Sequence, residues 1–116
     1  MHKEATLLRK IIEKITFIEE IVKQYGSVES SLEDAILSRA AILMHLETIA
    51  EQFEKLSENG FFEVLSRFDA NDIKGIRRVR NYIAHQYDEV DDDIIMDIIK
   101  ERLPVIKLSC KKLLQS

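Results

Sequence analysis

The sequence contains few of the residues that break or cross-link a chain. Its 116 residues include three Gly, one Pro, one Cys and no Trp. So little Gly and Pro argues against an all-β protein with its many turns. The lone Cys110 excludes an intrachain disulfide and a multi-cysteine zinc site, and a reducing, intracellular setting is the simplest interpretation. No apolar run reaches the length of a signal-peptide core or a membrane span, so we expect a cytoplasmic protein without a membrane segment.

The composition is that of one small folded domain. Apolar residues make up 46% of the chain and charged residues 33%, which is too apolar and too mixed in charge for disorder. At this length we expect a single domain over residues 1–116. The 17 basic and 21 acidic residues give a net charge of −4. That balance argues against broad attraction to nucleic acid but leaves room for a local basic patch.

Apolar spacing predicts an all-α fold, an up-and-down bundle of four main helices and one short helical segment. Gly26 is the expected C-cap of the first helix, Ile36 is placed on the apolar face of the second, and Pro104 is expected to kink or divide the last. The predicted ranges are about 4–24, 30–57, 61–68, 71–85 and 91–114.

Short polar residues indicate where the helices begin. Ser30 and Glu33 form a capping-box pattern, so the second helix is expected to start at Ser30 or its neighbour Ser31. Asn71 or Asp72 is expected to cap the third main helix. The acids at 91–93 suit the start of the fourth, because negative charge there complements the helix dipole.

The stretch from residue 73 to residue 87 is basic, although acidic residues precede and follow it. It contains no acid and holds a compact positive patch made of Lys74, Arg77, Arg78 and Arg80. Such a run is often only a solvated helix face, so the patch alone does not establish a binding site.

On a helical wheel Arg80 falls in the middle of the apolar arc of this helix. The other members of the arc are Ile73, Ile76, Val79, Ile83, Ala84 and Tyr87. An arginine on such a face has to snorkel, pair with a carboxylate or line an interface or cleft. A buried ion pair with Glu47 or Glu51 and a functional role are both open at this point.

His85 adds a second group that is able to do chemistry. Asn81 and His85 are four residues apart and share a helix face. Arg80 and His85 are five apart, about 140° around the axis, and cannot converge on one phosphate from an intact helix. Either the helix unwinds near Ala84, or a second copy of the chain completes the site.

Residues 80–87 read Arg-x4-His-x-Tyr, which resembles the signature of the HEPN superfamily and, more narrowly, of HepT-like toxins. Residues 41–51 look like the family's second helix, with Ala50 where glycine is usual, and residues 91–104 look like its closing helix with the proline. Gln86 stands where glycine or an acid often appears. The resemblance covers about residues 5–114.

The resemblance implies a metal-independent RNA endonuclease, the toxin of a type VII-like toxin–antitoxin pair that needs no cofactor. His85 would act as general acid/base, Arg80 would stabilise charge on the scissile phosphate, and Asn81 would orient the phosphate or the histidine. RNA supplies its own nucleophile, the 2′-OH, so a group that titrates near neutral pH and a cation are enough for the chemistry. Family members are homodimers with the motif helices at the interface.

The resemblance also implies partners and a modification. Tyr87 matches the tyrosine that an MNT-type nucleotidyltransferase antitoxin modifies with AMP, which silences the toxin. Lys74, Arg77 and Arg78 are predicted to bind the phosphates of an RNA substrate such as tRNA or mRNA. Glu51 is expected to support the site by pairing with a motif cation.

The histidines do not form a metal-binding pattern, because His2, His45 and His85 lie at unrelated spacings, so no metal site is expected. His45 is expected to pack at the edge of the core. Two alternatives stay open. One is a non-catalytic HEPN module that binds nucleotide or RNA, or serves as the partner subunit of a nucleotidyltransferase. The other is a structural adaptor in which Arg80 pairs with Glu51 and nothing is cleaved.

Overall fold

The computed structural model describes residues 2–85 and 90–116, and these residues form helices joined by short loops, with no strand among them. The all-α prediction is confirmed. A π-helical turn, Ile98–Arg102, joins the last two helices. The helices are α1 (His2–Tyr25), α2 (Val28–Glu33), α3 (Ser38–Glu58), α4 (Phe62–Leu65), α5 (Ala70–His85), α6 (Asp92–Asp97) and α7 (Leu103–Gln115).

Helix α3 lies at the centre of the bundle. It packs against α1 on one side and α5 on the other, and α7 packs against α1. Its inner face is apolar at helical spacing, and Phe53 meets Phe68 edge to face with ring centroids 5.1 Å apart. The residues of this face are all buried: Ile42, Leu43, Leu46, Ile49, Phe53 and Leu56. Helix α5 therefore has one flank on α3 and an outer face open to solvent.

The first helix follows its sequence pattern closely. Leu8, Ile11, Ile15 and Ile18 recur at three- and four-residue steps, and all four are buried. The helix ends at Gly26, whose φ of +89° is left-handed and whose N–H donates to the Val22 carbonyl at 2.9 Å. Glycine adopts this conformation without strain, so the predicted C-cap is confirmed.

The predicted start of the second helix is wrong. Ser27, not Ser30 or Ser31, is the N-cap of α2, because its hydroxyl accepts the N–H of Ser30 at 3.0 Å. Ser30 is thus already inside the helix, and the hydroxyl of Ser31 donates to the Val28 carbonyl at 2.6 Å. The capping box from Ser30 to Glu33 was a chance pattern one turn too late.

The second predicted helix is also divided into α2 and α3. The carboxylate of Asp34 accepts the N–H groups of Ile36 and Leu37 at 3.2 and 3.1 Å, which replaces the helical ladder at this point. Ile36 is 84% exposed, so its placement on the apolar face is wrong. The break predicted after α3 is confirmed, with Gly60 at a φ of +76°.

The predicted cap of α5 is wrong as well. The carboxylate of Asp69 accepts the N–H of Asn71 at 2.7 Å, so the helix begins at Ala70. Asp72 is instead buried, and it accepts a hydrogen bond from Nη1 of Arg102 at 2.8 Å. Its carboxylate thus connects α5 to the π-helical turn.

The predicted start of the last helix and the effect of Pro104 are confirmed. Asp91 caps α6 by accepting the N–H of Asp93 at 2.9 Å. Pro104 lies in the first turn of α7, directly after the π-helical turn. Proline has no N–H to donate to a carbonyl four residues earlier in the chain. The hydrogen bonds of the π-helical turn span five residues, so this turn accommodates a residue without a donor.

Among the described residues, no helix is both long enough and apolar enough to cross a membrane.

Candidate functional site

The buried side of α5 is narrower than the wheel predicts. It consists of Ile76, Val79, Ile83 and the carboxylate-bearing Asp72. Ala84 is exposed, so its place in the buried arc is wrong. Arg80 is half-buried, and on the wheel it lies at the edge of the buried arc nearer to Arg77, not in its middle, because the buried residues are centred nearer to Asp72. Tyr87 and Gln86 lie outside the described residues.

Arg80 has no carboxylate partner among the residues described. The ion pair with Glu47 or Glu51, which the sequence left open beside a functional role, is not formed within the described residues of the protomer. The acid of α3 that does reach α5 is Glu54, which lies 3.7 Å from the Nε of Arg77. The ion pair required by the adaptor interpretation is thus missing from the protomer, and a supporting role for Glu51 stays a prediction.

Asn81 and His85 are exposed on the outer face of α5. The helix continues through Ala84 to His85, so the alternative in which it unwinds near Ala84 is wrong. The angle of about 140° between Arg80 and His85 is therefore retained. A single protomer does not bring these two predicted catalytic side chains together.

The basic patch divides between the two flanks of α5. Arg77 lies on the α3 side, where it pairs with Glu54. Arg78 lies on the opposite side, with its guanidinium carbon 5.8 Å from the centre of the Tyr82 ring. Lys74 and Arg78 line a groove on that second side. The four basic residues are close together in the sequence, but in the structure they lie on different sides of α5 and have different neighbours.

His45 occupies a separate place between α1 and α3. It is half-buried, and its ring lies 5.4 Å from that of Phe17. Burial, and next the positive charge of Lys14, lower the pKa of His45 below its ordinary value. The expectation that it packs at the edge of the core is confirmed.

Concave regions lie on the described surface. One, of about 600 Å³, lies between α1, α4 and α7, and none of the predicted site residues that the structure describes lines it. Two smaller grooves of about 320 and 250 Å³ lie along α5 and share Gly75, Arg78 and Arg102. Within the described ranges, no group of three His, Cys, Asp or Glu side chains is arranged to hold a metal ion.

The sequence reasoning missed the contact of Arg102 with α5. A Cβ atom added to Gly75 would lie 3.4 Å from both Cδ and Nε of Arg102, in ordinary van der Waals contact, so the arginine passes directly over this position of the helix. The available signal was a glycine inside a helical pattern with no turn to explain it, which often indicates a close approach. The sequence did not indicate that Arg102 is the residue that approaches Gly75, because Arg102 lies in a different helical element.

Comparison with known proteins agrees with the resemblance found in the motif. No curated protein and no solved structure matches the chain. A family model described as ribonuclease HepT-like matches residues 11–113, which include the whole of α5. Because the match spans most of the sequence, the chain belongs to the HepT-like ribonuclease family.

Proposed function

We propose that the protein is a metal-independent endoribonuclease, the toxin of a type VII-like toxin–antitoxin pair that acts on tRNA or mRNA in the cytoplasm. The observation that carries the proposal is the family match over residues 11–113, which contains the entire Arg-x4-His motif. The half-buried Arg80 supports it, since a guanidinium without a carboxylate partner among the described residues is available to a phosphate.

His85 is the proposed general acid/base. It takes the proton of the ribose 2′-OH, whose oxygen attacks the adjacent phosphorus. Arg80 stabilises the negative charge that develops on the phosphoryl oxygens, and Asn81 orients the phosphate or the imidazole. The bond from phosphorus to the 5′ oxygen breaks as that oxygen takes up a proton. The products are a 2′,3′-cyclic phosphate and a 5′-hydroxyl.

The proposed active form is a homodimer that joins through the α5 helices. Arg80 and His85 diverge by about 140° on an unbroken helix, so one chain does not direct both at one phosphate. In a two-fold dimer each Arg80 approaches the partner's histidine. The exposed Ala84, between these two residues on the helix, leaves room for a second helix to come close.

The proposed regulation is AMP transfer to Tyr87 by an MNT-type nucleotidyltransferase. Tyr87 follows His85 by two residues, so the modification adds a bulky, negatively charged phosphodiester near the general acid/base. The added charge repels the phosphates of RNA and blocks cleavage.

A second candidate function is a non-catalytic module that binds nucleotide or RNA, or that serves as the partner subunit of the transferase. The separation of Arg80 from His85 within one protomer favours it, because recognition of phosphates does not need the two groups to converge.

The deciding experiment is RNA cleavage in EDTA by protein expressed without a partner. Wild type and His85→Ala are compared on several structured RNAs, and intact mass establishes that Tyr87 is unmodified. We expect cleavage by wild type alone, with 2′,3′-cyclic phosphate ends. Equal cleavage by both proteins would contradict the role of His85. No cleavage by either would favour the binding module.

A further inference from the structure

A groove runs along the side of α5 that faces the π-helical turn, away from Arg80. It has a volume of about 320 Å³ and continues towards α6 as a second depression of about 250 Å³. We call it the Gly75 groove. The residues that line the first part are Asp69, Asn71, Lys74, Gly75, Arg78 and Arg102.

Arg102 is held in one orientation at this groove. Its Nη1 donates to the buried Asp72 at 2.8 Å, and its Nε donates to Asp97 at 3.0 Å. A guanidinium carries five N–H donors in a fixed plane, so these two bonds leave three donors for a ligand. The ligand would not have to order this side chain, because the two aspartates have already done so.

Gly75 forms the floor. A Cβ in its place would lie 3.4 Å from Arg102 Cδ and Nε, in van der Waals contact with that side chain. Any larger side chain would fill the space between α5 and Arg102. The glycine therefore keeps the groove open for a group that approaches the helix backbone.

Two further cations border the groove. Lys74 and Arg78 are both exposed, and neither forms an ion pair with a carboxylate in the described part of the chain. Arg77 differs, because it lies on the other flank and pairs with Glu54. Tyr82 follows Arg78 by one helical turn on the same flank and presents a half-buried ring.

We infer that the Gly75 groove binds a phosphodiester of the RNA strand away from the scissile phosphate, through Lys74, Arg78 and Arg102. The inference rests on the proposed RNA substrate. Arg78 precedes His85 by seven residues, about 10.5 Å along the helix axis, so a strand at His85 reaches the groove within a few nucleotides. Lys74 and Arg78 supply the positive charge for the phosphate, because the charge of Arg102 is balanced by Asp72 and Asp97, and Arg102 contributes its remaining N–H donors.

Binding of a non-cleavable RNA tests this inference separately from catalysis. The probe is a labelled, single-stranded 2′-O-methyl oligoribonucleotide, titrated at several salt concentrations. Arg78→Ala removes one phosphate contact, so we expect several-fold weaker binding and a salt slope reduced by about 0.7. Gly75→Leu keeps every charge but fills the groove, and we expect it to weaken binding as well.

Arg9→Ala is the matched control. Arg9 is also an exposed arginine in a helix, but it belongs to α1, outside the groove, and we expect wild-type affinity and slope. Helical circular dichroism and thermal unfolding verify that each variant folds. Binding by Arg78→Ala and Gly75→Leu equal to that of Arg9→Ala would overturn the inference. Weakened binding in a protein that cleaves no RNA would support the groove and contradict the proposed nuclease.

Discussion

At the scale of single residues, Arg102 joins two parts of the chain that lie 30 residues apart by binding the buried carboxylate of Asp72. We predict that Arg102→Ala lowers the free energy of unfolding by about 1–3 kcal/mol, because Asp72 then keeps its charge in a buried place without a partner. Urea unfolding followed by circular dichroism measures the change.

Lys100→Ala is a suitable control for Arg102→Ala, because it lies in the same π-helical turn. Its ammonium contacts Glu29 at 2.8 Å, but both side chains are largely exposed, so we expect little change in stability. An equal loss in both variants would show that the turn responds to any substitution, and that burial of Asp72 is not the cause.

His45 gives a pH dependence with a definite sign. Its pKa in the folded protein lies below the ordinary value of 6.5, because burial and then Lys14 disfavour the charged imidazole. The unfolded chain therefore binds more protons between these two pKa values, and stability falls as the pH drops through that window. We predict that wild type loses more stability than His45→Gln between about pH 7 and pH 5. Urea midpoints across the range test this, and identical pH profiles would contradict it.

At the scale of helices, two serines near the start of α2 look equivalent in the sequence but have different roles in the structure. Ser27 accepts the N–H of Ser30, whereas Ser30 lies inside the helix. We predict that Ser27→Ala destabilises the protein by about 1 kcal/mol and that Ser30→Ala costs much less. Chemical denaturation of the two variants gives the comparison. A larger loss for Ser30→Ala would restore the capping box as the start of the helix.

The helices that could be predicted were those with uninterrupted periodicity. The apolar steps of α1 and the Gly26 cap are local features, and both are found as expected. The break between α2 and α3 was missed because it contains neither Gly nor Pro. It depends on hydrogen bonds from Ile36 and Leu37 to the Asp34 side chain, while the apolar spacing continues across it.

The surroundings of the candidate site residues could be predicted only in part. Position on the wheel indicated that Arg80 does not face bulk solvent, and the structure has it half-buried. Arg80 lies off the centre of the buried face because that face includes Asp72. The carboxylate of Asp72 is buried against Arg102, which belongs to another helical element. Such long-range pairs leave no local pattern, so the sequence did not indicate them.

At the scale of the whole molecule, α5 separates two surfaces of different character. One flank carries Arg80 and Arg77, which pairs with Glu54 of α3, and the other carries Arg78 beside the π-helical turn. His85 and Asn81 lie on the exposed face between them. An RNA strand that crosses this face would meet Arg80 on one flank, then Asn81 and His85 on the exposed face, and then the Gly75 groove on the other flank.

The proposal that two copies of the chain share an active site leads to a complementation experiment. Arg80→Ala and His85→Ala chains are each expected to be inactive alone. When they are mixed and allowed to exchange subunits, half of the dimers contain one chain of each kind. If Arg80 of one chain acts with His85 of the other, each such dimer has one intact site, so about a quarter of wild-type activity returns.

The same mixture gives a different result if both residues act from one chain. Every site then lacks either Arg80 or His85, and mixing restores nothing. The control is a mixture of His85→Ala with the double variant Arg80→Ala/His85→Ala, which contains no intact histidine and stays inactive in both cases. Recovery in the first mixture alone would establish a site completed by two copies of α5. Absence of recovery, with exchange verified by mass spectrometry of the mixed dimers, would contradict the shared site.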